Sequence, residues 1–150
     1  MCRDIQQAIP MPPKDAAQYS PLALAFLGDC IYERQVRERI LLEANRPARQ
    51  LHEAAVSRVR AAYQAKAAEH ILPLLTEEEA DIFRRGRNAT GISVPRHATP
   101  ADYRKATGLE ALFGYWHLCG CEARITEIFS VIWQEVPLHT PETEQNDSQE

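Results

Sequence analysis

Between Ser20 and Glu43 one helical stripe carries both apolar residues and acids. Leu22, Ala25, Phe26, Asp29, Glu33, Val36 and Ile40 follow one another at spacings of 3, 1, 3, 4, 3 and 4, the period of a single helix face. An ionised carboxylate on such a face needs a cation or several donors to offset its lost hydration. A second stripe on the same segment, Leu24, Leu27 and Ile31, is also apolar. A helix that buries two faces is central in its fold or lies at a subunit interface. Ser20-Pro21 opens it with an N-cap and a proline at the first helical position.

The rest of the chain reads as helix too. Pro47 starts an alanine-rich helix predicted to run to about Leu72. Thr76-Glu77-Glu78-Glu79 is a capping box that opens a helix to about Arg85. Gly86 is expected to break that pattern, and Gly91, Pro95 and Pro100 to keep residues 86–100 a loop. Two more helices are predicted, from about Ala101 to Cys119 and from about Glu122 to Glu135. With no hairpin signal and no repeat, the fold class is all-α with about five main helices. Residues 1–19, holding Pro10, Pro12 and Pro13, are expected to be irregular, residues 20–136 to form the domain, and residues 137–150 to be a disordered acidic tail.

At 150 residues, with 45% hydrophobic and 25% charged residues, the chain has the make-up of one folded domain with its own core. The start of the chain lacks a signal-peptide layout and no apolar run approaches the ~20 residues that span a bilayer, so a cytoplasmic protein with no membrane partner is expected. Cys2, Cys30, Cys119 and Cys121 form no C-x-x-C pair and are expected to be packed, reduced thiols.

The net charge of −4 conceals an asymmetry. Glu142, Glu144, Asp147 and Glu150 place −4 on the tail alone. Residues 84–105 hold Arg84, Arg85, Arg87, Arg96, Arg104 and Lys105 against Asp102 only. One segment is therefore basic enough for a polyanion despite the acidic total; a solvated loop with scattered salt bridges is the simpler alternative.

The segment from Ala101 to Cys119 mirrors the first helix. Tyr103, Thr107, Glu110, Gly114 and His117 share a stripe, and Gly114 costs about 1 kcal/mol of helix propensity relative to alanine, which implies a close neighbour. If the two helices cross at Gly114, Asp29 and Glu110 converge. Carboxylates on facing helices suit a hard divalent cation such as Mg²⁺. Two unrelated acids, each paired with an arginine, fit the periodicity equally well.

Phe26-Leu27-Gly28-Asp29 resembles the core of the ribonuclease III family signature, and Leu109-Glu110-Ala111-Leu112-Phe113-Gly114-Tyr115-Trp116 resembles that family's second motif. The segment Arg84-Arg85-Gly86-Arg87-Asn88-Ala89 and the pair Tyr103-Arg104 are similar to the short bacterial branch called Mini-ribonuclease III, which lacks a double-stranded RNA-binding domain. The resemblance covers about residues 18–135. It implies an all-helical homodimer that hydrolyses double-stranded RNA with Mg²⁺ and trims the precursor of large-subunit ribosomal RNA, with a large-subunit ribosomal protein as a candidate partner. Carried over by position, Asp29 and Glu110 are the catalytic, metal-holding pair.

Two positions depart from the wider family: Ala25 stands where its signature has Glu, and Thr107 where its second motif has Asp. Thr107 and Glu33 are candidates for the outer shell of the metal. Arg84, Arg85, Arg87, Asn88, Arg104 and Lys105 are the candidate RNA-binding residues, because arginine forks and loop N–H groups bind phosphate without reading bases. Two other readings stay open: a non-catalytic RNA-binding assembly protein on the same fold, and a nucleotide pyrophosphohydrolase using the acids from Glu77 to Asp81.

Overall fold

Ser20 accepts from the Ala23 N–H at 3.2 Å and Pro21 fills the first helical position, so the longest helix starts where its capping residues demand. The computed structural model describes residues 4–91 and 93–138. The acidic tail from residue 139 onward, and Cys2, lie outside the described residues. Among these, eight α-helices occur and no strand: α1 (Ile5–Ala8), α2 (Pro13–Ala16), α3 (Pro21–Glu43), α4 (Ala48–Val59), α5 (Ala61–Ile71), α6 (Glu77–Arg87), α7 (Pro100–Leu118) and α8 (Glu122–Glu135), with a single 3₁₀ turn at Leu72–Leu74. The fold is all-α, as the periodicity predicts.

Helix α7 is the axle of the molecule. All but a few of its residues from Ala106 to Leu118 are buried, and it packs against α3, α5, α6 and α8. Its closest neighbour is α3, because both helices carry glycine where they cross. A Cβ on Gly28 would lie 1.5 Å from the Glu110 carbonyl oxygen, and one on Gly114 would lie 2.0 Å from that of Leu24. Only bare backbones fit there. The loss of helix propensity at two glycines is offset by the packing this approach permits. Around the crossing, Tyr32, Phe113, Trp116 and Phe129 stack edge to face with ring centroids 5.4–6.3 Å apart. Such pairs add about 0.5–1.5 kcal/mol each beyond the area they bury.

The structure corrects several expectations. The helix predicted from Pro47 to Leu72 is two helices, because Arg60 is extended at ψ 150° and ends the first. Gly86 does not break α6. It is buried inside the helix, where a Cβ would come within 2.9 Å of the Gly108 Cα of α7. The N-terminal segment holds two one-turn helices and is tied down, its Met11 N–H donating to the Leu118 carbonyl at 2.8 Å. Cys30 and Cys121 are exposed thiols rather than packed ones, while Cys119 is half-buried. On α3, Leu24 and Ile31 belong to the core, Leu27 is half-buried, and Phe26 is 84% exposed. No helix of the described residues is long and apolar enough to cross a membrane.

Candidate active site

The Gly28–Gly114 crossing decides where the acids go. Asp29 follows Gly28 directly, and Glu110 lies one turn before Gly114. Both therefore line one open cavity of about 880 Å³, whose wall also includes Ala25, Glu33, Tyr103 and Thr107. Neither acid has an ion pair or hydrogen-bonded cation among the described residues. Burial, and then the neighbouring Asp29 carboxylate, push Glu110 up to about 8, against an opposing hydrogen bond from the Gln64 side chain. Asp29 is raised as well, by burial and by the nearby Glu33. The alternative in which each acid is paired with an arginine is not what the chain adopts.

Two neighbouring carboxyl groups, partly stripped of water and open to solvent on one side, repel one another when both ionise, and a cation between them would offset that repulsion. Asp29 and Glu110 converge as two acids only; among the described residues no group of three or more His, Cys, Asp or Glu forms a metal cluster. Mg²⁺ needs no more than that, since it is commonly held by one or two carboxylates and keeps several waters or phosphate oxygens. The donor set fits the ion.

The other candidates are placed less centrally. Glu33 borders the cavity, but its carboxylate accepts from Arg37 at 2.9 Å. Thr107 is 6% exposed and its hydroxyl donates to the Tyr103 carbonyl at 2.9 Å, leaving oxygen lone pairs free to accept.

The basic segment is helix where a loop was expected. Arg84, Arg85 and Arg87 form the last turn of α6, and Asn88 is its C-cap. Arg84 is paired with Asp81. Arg85 donates to the Ala17 and Tyr19 carbonyls at 2.8 and 3.2 Å, so its guanidinium anchors the segment before α3. Arg87 donates to Asn88 at 3.2 Å, Lys105 is paired with Glu69, and Arg104 is exposed. The acids from Glu77 to Asp81 do not converge on a second site: Glu79 turns inward and is bound by Arg124 at 2.7 Å.

Sequence reasoning missed two residues that shape the site. Gly28 carries the same close-approach signal as Gly114. Gln64 shares a stripe with Ala68 and Ile71, a polar residue on an apolar face, and that pattern marks it as a group with a task.

Comparison with known proteins bears on this geometry. The Ribonuclease III domain family matches residues 22–120. Mini-ribonuclease 3 of Synechococcus sp. is 53% identical over 107 residues, covering 71% of this chain and 76% of that protein. Mini-ribonuclease 3 of Symbiobacterium thermophilum is 47% identical over 108 residues, covering 72% and 83%. The crystal structure of a protein from Fusobacterium nucleatum matches with a TM-score of 0.73 at 33% identity, covering 80% of this chain and 96% of that one. The matched segment contains both carboxylate-bearing stripes and the glycines that bring them together, and on these grounds the chain belongs to the ribonuclease III family, in its Mini-ribonuclease 3 branch, and is an endoribonuclease.

Proposed function

We propose that this endoribonuclease cleaves double-stranded RNA with Mg²⁺ held by Asp29 and Glu110, and that its substrate is the precursor of large-subunit ribosomal RNA. The observation that carries the reading is the uncompensated pair itself, with Glu110 pushed up to about 8 at the wall of an open cavity. When bound, the ion lowers the pKa of water and stabilises charge on the scissile phosphate. The chain's own part is to hold two carboxylates in register through the glycine crossing, and to accept a hydrogen bond at the Thr107 oxygen. Arg84, Arg87, Asn88 and Arg104 lie along the end of α6 and the start of α7, where they meet phosphates. Arg85 supports that surface through its two backbone carbonyls, and Lys105 joins it only by leaving Glu69.

A homodimer completes the reading. Leu22, Phe26 and Leu27 form an apolar rim on the cavity, Leu22 and Phe26 exposed and Leu27 half-buried. A two-fold contact uses the same patch twice, so a contact through α3 sets two cavities side by side on one duplex. With Leu24 and Ile31 committed to the core, Phe26 and Leu27 are the residues through which the partner is met.

The deciding experiment incubates duplex RNA and Mg²⁺ with wild type and with Asp29→Asn. Wild type should cut and the variant should bind without cutting; cutting by Asp29→Asn near the wild-type rate refutes the site. Arg104→Ala should flatten the salt dependence of RNA binding by about one unit of slope, equally for all sequences. Sedimentation should place wild type near twice 17.0 kDa, and an active 17.0 kDa species would exclude the paired arrangement.

A further inference from the structure

Gln64 lies on α5 and is 3% exposed. Its Nε2 donates to the Val59 carbonyl at 2.8 Å. A carbonyl only accepts, so the amide nitrogen faces Val59 and Oε1 faces away from it. Oε1 is buried and receives no hydrogen bond among the described residues. An amide oxygen taken out of water without a donor is a standing cost to the fold. Such a cost is tolerated where a donor arrives with function.

The surroundings indicate that donor. Gln64 and Glu110 line one cavity of about 610 Å³, with Tyr103, His97 and Asp102 on its wall. Glu110 and Tyr103 also line the larger cavity that contains Asp29. Glu110 therefore stands between two spaces, Asp29 on one side and Gln64 on the other. A cavity of this size with several polar groups has room for water.

We propose that Gln64 is a positioning residue of the cleavage site: with its amide nitrogen fixed on the Val59 carbonyl, its Oε1 accepts from a water lodged beside the Glu110 carboxylate in the cavity the two residues share. The role rests on the assignment of Asp29 and Glu110 as the cation's holders. A Gln64 that served only as a clasp between α4 and α5, through Val59, would have no bearing on cation affinity.

The test is titration of the full chain with Mn²⁺ alone, a spectroscopically visible hard cation, for wild type, Glu110→Gln, Gln64→Met and Gln64→Asn, each checked for native circular dichroism. Groups that orient a metal ligand typically contribute ten- to a hundredfold in affinity. Gln64→Met should bind Mn²⁺ at least about tenfold more weakly than wild type while remaining folded. Affinity within about twofold of wild type overturns the proposal. If Gln64→Met fails to fold, Gln64→Asn decides, since it keeps the amide and withdraws it by one carbon; a tenfold loss supports the role and parity overturns it. A wild type whose Mn²⁺ binding survives Glu110→Gln is a different result, which removes the cation assignment and this inference with it.

Discussion

Glu79 and Glu110 both turn inward from helices that pack on each other, yet their surroundings are opposite. Glu79 accepts from Arg124 at 2.7 and 3.0 Å, from the Trp116 indole at 2.6 Å and from the Thr76 N–H at 2.9 Å. Burial pushes it upward, but those hydrogen bonds prevail and hold it below the usual glutamate range. Glu110 faces Asp29 instead of an arginine, and burial together with that neighbour raises it to about 8. The same side chain is thus a rivet in one place and, in the proposed reading, a cation ligand in the other. The difference lies in the positive charge: the fold brings Arg124 to Glu79 and brings no cationic side chain among the described residues to Glu110.

That contrast predicts opposite responses to the same isosteric change. Glu110→Gln should lower duplex RNA cleavage by at least about a hundredfold, the scale seen when a group stabilising transition-state charge is removed. Its unfolding midpoint without metal should rise at pH 9, where a repulsive, half-desolvated charge is relieved, and change less at pH 6, where folded Glu110 keeps its proton. A large fall in stability would recast Glu110 as a structural acid.

Glu79→Gln should do the reverse. Breaking one side of a buried ion pair costs about 3–5 kcal/mol, and Arg124, at 22% exposure, can recover part of this by reaching water. A loss of about 2–4 kcal/mol in chemical denaturation is expected. The turnover of the folded fraction, measured well below the melting range, should stay within about twofold of wild type. Loss of turnover without loss of stability would mean that Glu79 takes part in the chemistry.

The two sites were also unequally legible in the amino-acid sequence. The capping box at Thr76 and the helix holding Asp29 are local patterns and both take the predicted form, although Leu22 and Phe26 of its stripe stay exposed rather than buried. The convergence of Asp29 with Glu110 follows from a helical glycine, whose only local reading is that something must come close. What remained hidden depends on partners far along the chain. Glu79 looks like one of three first-turn acids until Arg124 of α8 arrives. Gly86 looks like a helix breaker until Gly108 of α7 supplies the packing that keeps it in place. Arg85 reads as a phosphate ligand, but both its terminal nitrogens donate to the carbonyls of Ala17 and Tyr19. Periodicity shows which face is buried, not which atom meets it.

The smallest effect, and the most direct electrical test of the contrast, is the pH dependence of stability. Glu110 binds its proton more tightly folded than unfolded, since about 8 lies above the unfolded glutamate value. Its contribution is therefore complete below the unfolded pKa and is lost as pH rises toward about 8. Glu79, held low, has the opposite sign: its contribution is present above the unfolded pKa and disappears as pH falls through its folded value. Denaturation of the metal-free protein at pH 6 and pH 9 should show a loss of about 1–2 kcal/mol from Glu110, smaller than its full shift implies because the cavity admits solvent. Glu110→Gln should flatten this neutral-to-alkaline arm and leave the acid arm intact, whereas Glu79→Gln should flatten only the acid arm. Saturating Mg²⁺ should flatten the alkaline arm of wild type as well, because a cation favours the carboxylates that pH alone must otherwise force into being. Equal alkaline slopes for wild type and Glu110→Gln would show that the charge of Glu110 is already compensated within the fold, and the opposition between the two glutamates would fail.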